Sequence, residues 1–150
     1  MAQTGTTNTE QQKFTSLMSE LARAHHRLSL FEAEIHRHSG SGLTAPQAKV
    51  IFCLGNTDGM TCSDITDQTL ITKGTLTGVI DRLEQKGLVQ RWSDADDGRK
   101  IIVDLTSTGK KLFKREYPRF VKKIQPRFDE LSERNRKMAT TLLGKIADQF

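Results

Sequence analysis

Apolar residues recur every three or four positions along most of the chain, and the stretch where that period fails divides it into parts. From Gln11 to about His38, Phe14, Met18, Leu21, His25, Leu28, Glu32 and Ile35 follow alternating steps of four and three, with Leu17, Ala24 and Phe31 on the adjacent stripe. That spacing predicts one long helix whose apolar face needs partners distant in sequence. Ser39-Gly40-Ser41-Gly42 breaks it. Thr44 then suits an N-cap and Pro46 the first turn of a second helix, with Val50, Ile51 and Leu54 facing inward and Gly55-Asn56 as its stop. After a turn at Asp58-Gly59, Thr61 followed by Asp64 predicts a capped short helix around Ile65.

Thr72 caps a further helix, Lys73 to Lys86, with Leu76, Val79, Ile80 and Leu83 on one face and Gly87 at its end. Two short helices on a tight turn, the second amphipathic, make a helix-turn-helix pattern. The period then shortens. Leu88–Trp92 and Ile101–Leu105 are β-prone runs around the polar stretch Ser93–Lys100, which predicts a hairpin wing. Helical spacing returns after Thr106 or Ser107, through Phe113, Tyr117, Phe120, Ile124, Phe128 and Leu131, with kinks expected at Pro118 and Pro126. Ser132-Glu133 starts a last helix carrying Met138, Leu142, Ile146 and Phe150.

The fold expected is therefore mainly α: a winged helix-turn-helix with a short β-hairpin wing, flanked by N- and C-terminal helices that form a dimerisation layer. Residues 1–10 are read as a flexible tail, 11–42 as the N-terminal dimerisation helix and linker, 43–105 as the winged domain, and 106–150 as the C-terminal dimerisation helices. Long apolar helices at both ends leave a monomer of 150 residues with faces it cannot cover alone.

Composition narrows the class. Nothing approaches the roughly 20 apolar residues of a membrane span, the first ten residues lack a signal-like apolar core, and two cysteines are too few for a disulfide framework. A cytoplasmic protein without membrane association is expected. Net charge is +5, which suits a polyanionic partner. The distribution runs the other way, because residues 43–105 are slightly acidic and the excess of Lys and Arg follows Thr106. Pattern, not charge, carries the reading. No phosphate loop, dinucleotide fingerprint, His-Glu-x-x-His or Cys-x-x-Cys occurs, so no catalytic residue, cofactor or metal ligand is assigned and the chain is not read as an enzyme.

Leu43-Thr44-Ala45-Pro46-Gln47-Ala48-Lys49-Val50, Thr72-Lys73-Gly74-Thr75-Leu76-Thr77, Asp81–Val89 and Asp97-Gly98-Arg99 before Leu105-Thr106 stand in one order. That series resembles the bacterial MarR family of transcription regulators over almost the whole chain. Two positions depart from the pattern: Leu70 occupies the helix-turn-helix turn where Gly is commoner, and Gly98 separates Asp97 from Arg99. The resemblance implies a homodimer on a pseudo-palindromic double-stranded DNA operator, usually a repressor released by a small aromatic or phenolic ligand whose site the sequence leaves unknown.

The candidate DNA-binding residues are Thr72, Lys73, Thr75, Thr77 and Arg82 on the recognition helix, and Asp97, Arg99 and Lys100 at the wing tip. Thr75 and Thr77 suit hydrogen bonds or thymine methyls, and Lys73 and Arg82 suit phosphate or guanine. Arg99 suits a narrow minor groove, with Asp97 holding its guanidinium and Lys100 serving phosphate. Cys53 and Cys62 are read as small core residues, and the histidines of the first helix as no metal site. Two alternatives stay open: a redox- or metal-responsive regulator on the same fold, and a winged-helix protein-interaction module that binds no DNA.

Overall fold

Four side chains on one helix, Leu76, Val79, Ile80 and Leu83, are buried to 6% exposure or less, and that helix packs against the short helix before it and the strand after it. The computed structural model describes the backbone of residues 4–150 and the side chains of residues 11–150. Two compact units divide the chain, Met1–Ala48 and Lys49–Phe150.

The first unit is dominated by α1 (Thr4–Arg37). The flexible tail expected over 1–10 has its first three residues outside the described ones, while 4–10 continue the α1 backbone. Adding a residue to an existing helix gains a hydrogen bond without a new nucleus, so an apolar stripe is not needed there. Ile35 and His36 at the end of α1 are buried, whereas Phe14, Leu17, Met18, Leu28 and Leu30 are exposed. A serine-linked turn follows, in which Ser39 Oγ donates to His36 O at 2.9 Å and lies 2.7 Å from Ser41 Oγ. α2 (Ala45–Leu54) then starts with the reciprocal contacts expected of Thr44: its N–H donates to Gln47 Oε1 at 3.1 Å, and its Oγ1 accepts from Gln47 N at 3.5 Å.

The second unit begins within α2 at Lys49 and then runs β1 (Met60–Thr61), α3 (Cys62–Thr69), α4 (Lys73–Gln85), β2 (Val89–Ser93), β3 (Ile101–Leu105), α5 (Ser107–Ile124), a single 3₁₀ turn at Gln125–Arg127, and α6 (Glu133–Ala147). Thr61 and Asp64 cap α3 reciprocally, and Ser132 caps α6. α4 closes in a Schellman arrangement. Gly87 takes φ +67, its N–H donates to Glu84 O, and Leu88 N donates to Leu83 O.

The expected hairpin is part of a three-stranded antiparallel sheet in the order β1-β3-β2, with Val89 opposite Leu105 and Met60 opposite Val103. A two-residue strand is too short to show a period, so β1 left no trace in the pattern. Central β3 has no alternation because Ile102, Val103, Asp104 and Leu105 are all buried. Asp104 is accommodated by Leu105 N at 2.7 Å and by Lys110 Nζ at 3.5 Å.

Thr106 ties the base of the wing to the end of α4. Its Oγ1 donates to Gly87 O at 2.6 Å and accepts from Gly109 N at 3.0 Å, while its N–H donates to Leu88 O. A Cβ at Gly109 would come 2.0 Å from Leu88 O, so only glycine allows α5 to start so close to that corner. The long fifth helix expected as far as Leu131 stops at Ile124, and Pro126 opens the 3₁₀ turn; Pro118 is carried inside α5. Phe52 of α2 meets Tyr117 and Phe120 of α5 at ring centroids of 5.3 Å. No helix among the described residues is long and apolar enough to cross a membrane.

Ile80 is fully buried at the centre of the α4 face. Ile80→Ala is therefore expected to lower the free energy of unfolding by about 3 kcal/mol in urea titrations with an unchanged slope. A change under about 1 kcal/mol would show that α4 is not anchored by this face.

Candidate nucleic-acid interface

Burying Leu76, Val79, Ile80 and Leu83 turns the opposite side of α4 outward. Thr72, Lys73, Gly74, Thr75, Thr77 and Arg82 are exposed, and Gly78 and Asp81 are half-buried. Thr72 occupies the N-cap position without the side-chain bond expected of a cap. Its Oγ1 donates instead to Thr75 Oγ1 at 3.2 Å. Thr77 Oγ1 donates to Lys73 O at 3.2 Å, so its hydroxyl proton is engaged within the helix and its methyl and lone pairs remain for an outside contact. Ideal Cβ atoms at Gly74 and Gly78 would meet nothing within 4 Å. Gly78 stands mid-helix, where glycine costs about 1 kcal/mol against alanine, and Gly74 lies in the first turn; no neighbour among the described residues requires glycine at either position.

The wing is a built turn rather than a loose loop. Asp94 Oδ1 accepts from Asp96 N at 2.8 Å and Asp97 N at 3.2 Å, and Asp94 N and Lys100 O close the strands at 2.9 Å. Those amide bonds, Asp96 first, hold the Asp94 carboxyl below the ordinary carboxylate range. A lowered folded-state value means that these bonds steady the turn above the unfolded carboxylate's titration and are lost as pH falls through the folded one. Asp97 Oδ1 accepts from Arg99 N at 3.1 Å and from Arg99 Nε at 3.2 Å. The Arg99 side chain is 94% exposed and Asp97 is 36% exposed, so the carboxylate aims a guanidinium that otherwise faces solvent.

A charge clamp joins wing and helix. Arg91 on β2 reaches back to Asp81 Oδ1 at 2.6 Å and to Glu84 Oε2, both on the last turns of α4. Its guanidinium is held further up in pKa, first by the Asp81 hydrogen bond. The two carboxylates nearest the outward face of α4 are thereby matched by one cation.

Comparison with known proteins agrees with this geometry. The MarR family model matches residues 43–101. The transcriptional regulator HosA of Escherichia coli O157:H7 is 33% identical over 99 residues, covering 64% of this chain and 73% of HosA. The chain belongs to the MarR family.

A second relative, the HTH-type transcriptional regulator YfiV of Bacillus subtilis, is 33% identical over 90 residues, 60% of this chain, and the match spans 56% of YfiV's own length. Among solved structures, BpsR of Bordetella bronchiseptica, described with 6-hydroxynicotinic acid as a regulator of its DNA binding, superposes with a TM-score of 0.67 at 27% identity, over 85% of this chain and 98% of BpsR.

In this MarR-family chain, α4 and its N-cap carry Thr72, Lys73, Thr75, Thr77 and Arg82 on accessible surface, and the wing tip carries Asp97, Arg99 and Lys100. The Asp97–Arg99 pair anticipated from spacing is formed. Arg91 was missed by the sequence reading. Its signal was slight: Asp81 and Glu84 sit three apart on α4, and a lone Arg follows the turn at Gly87. The cysteines correct an expectation. Cys53 is half-buried, within 3.3 Å of Gln68 Oε1 and 3.6 Å of Met60 Sδ, and burial pushes its thiol pKa up, away from the reactive thiolate. Cys62 is exposed rather than a core residue, because it is the first residue of α3 and that end faces solvent.

Because open space surrounds both helix glycines, Gly78→Ala is expected to raise stability by about 1 kcal/mol and Gly74→Ala, in the first turn, by a smaller amount, measured by thermal unfolding of the chain alone. A loss of stability in either variant would show that the outward face is packed rather than presented.

Proposed function

We propose that this MarR-family chain is a sequence-specific DNA-binding transcriptional regulator, acting as a homodimer and most simply as a repressor. The observation that carries the reading is the joint presentation, within one compact unit, of a recognition helix with a small-residue outer face and a wing whose Arg99 is 94% exposed and aimed by Asp97. α4 enters a major groove, where Thr75 and Thr77 meet base edges and Lys73, Arg82 and Thr72 meet bases or phosphate. Arg99 enters the adjacent minor groove and Lys100 takes phosphate. Gly74 and Gly78 let the helix backbone approach the groove floor.

Two-fold pairing through the N- and C-terminal helices α1 and α6 supplies the cover that the exposed Phe14, Met18, Met138, Leu142 and Leu143 lack in a single chain. The operator is then a pseudo-palindrome with half-sites about 10 bp apart. A small aromatic or phenolic acid is the effector class, a reading supported by the likeness to BpsR and its hydroxylated aromatic acid. Such a ligand acts by favouring a spacing of the two recognition helices that misses the grooves.

The test is selection of bound fragments from the source genome, followed by salt titrations of wild type and Arg99→Ala. The expected result is an enriched pseudo-palindrome with a steep salt dependence. Arg99→Ala is expected to weaken binding roughly tenfold and to flatten the slope by about two units per dimer, one for each wing. A folded dimer that enriches no DNA at low salt would contradict the reading and favour an interaction module.

A further inference from the structure

Leu70 is the residue that neither the packing nor the chain's backbone geometry explains. It ends α3 at φ 58 and ψ 23 and is the only non-glycine residue with positive φ among those described. Left-handed backbone is disfavoured for a branched apolar side chain, and glycine adopts it without cost. The flanking residues force it. Thr69 and Ile71 are both buried, Thr69 Oγ1 donates to Ile65 O at 2.6 Å and accepts from Ile71 N at 3.4 Å, and Leu70 N donates to Thr66 O. Between two buried residues, Leu70 is 81% exposed. The turn needs a left-handed residue and the core gains nothing from an isobutyl group there. Whatever that group does is done outside the chain.

Its position says where. Leu70 stands two residues before the N-cap of α4, and the exposed N-cap Thr72 and the exposed first-turn residues Lys73, Gly74 and Thr75 of the recognition helix follow it in sequence. We propose that Leu70 is an additional DNA-contacting residue, placing an apolar side chain against the hydrocarbon surface at the edge of the major groove entered by α4. That surface is either the 5-methyl group of a thymine or the C–H face of a deoxyribose. The inference rests on the DNA-binding reading and adds to it a contact made by the turn itself, not by α4 or the wing.

The experiment uses the full chain and the DNA fragment that the wild type selects. Leu70→Gly removes the side chain and relieves the backbone, so its Tm is expected to equal or exceed that of wild type. Its affinity for the selected fragment is expected to fall roughly tenfold, the scale for losing about one methyl group's worth of apolar contact in each half-site. Leu70→Asn, which tolerates left-handed backbone but is polar, is expected to fall as far. Deoxyuridine placed for each thymidine in turn removes only the 5-methyl group. A position where wild type loses affinity and Leu70→Gly does not identifies a thymine methyl, and the lack of any such position identifies the sugar face.

Wild-type affinity in Leu70→Gly, or recovery in Leu70→Asn, would overturn the proposed role. So would a fall in Tm or in dimer mass that accompanies the weaker binding, since Leu70 would then serve the fold or the dimer. Failure of wild type itself to select DNA would remove the underlying reading too. That result is distinct from variants that bind as wild type does.

Discussion

Everything outward on the second unit depends on the rotation of α4 about its own axis, and that rotation is set by four apolar side chains at helical spacing. Leu76, Val79, Ile80 and Leu83 leave the helix one way to sit. A helix turned by a single residue, about 100°, would bury Thr77 and Glu84 and expose Val79 and Leu83. Its end is held as firmly as its face: the Schellman turn at Gly87 stops the helix, and Thr106 fastens the base of the wing to that same glycine. Arg91 adds a second tie, from the middle of β2 to Asp81 and Glu84. Recognition helix and wing therefore form a single corner, in which the tip of one keeps its distance from the face of the other.

The same ties account for the charge distribution. A slightly acidic segment is an odd surface to bring to a polyanion, yet six of the nine carboxylates between Leu43 and Leu105 are engaged in holding the structure. Asp64 caps α3, Asp81 and Glu84 take Arg91, Asp94 closes the wing turn, Asp97 aims Arg99, and Asp104 is buried against Lys110 and its own strand. Lys73, Arg82, Arg99 and Lys100 are left on the exposed surface. Exposed ion pairs of this kind contribute little stability singly, and their value here lies in position and in local neutralisation of negative charge.

Most of this corner was legible in the chain because it is written in local terms. The inward set of α4, the Thr61–Asp64 cap, the glycine that ends the helix and the Asp97–Arg99 pair all arise from residues a few positions apart, where periodicity and cap chemistry apply. What escaped was either very short or made between elements. β1 is two residues long, Arg91 reaches across ten positions to Asp81, and the end of α5 at Ile124 is decided by Pro126 rather than by the apolar spacing, which continues to Leu131. Thr72 holds its cap position but spends its hydroxyl on Thr75, a choice between two nearby partners that spacing alone cannot make. The exposure of Cys62 likewise depends on which end of α3 faces water.

Groove-resolved footprinting on a DNA site selected by the chain tests the central claim most directly, by combining guanine N7 methylation for the major groove with minor-groove hydrogen abstraction by hydroxyl radical. The account predicts two major-groove protections about one helical turn apart, from the paired α4 helices, each flanked by a minor-groove protection at the reach of the wing. Protection confined to one groove, or spread without two-fold symmetry, would contradict the account.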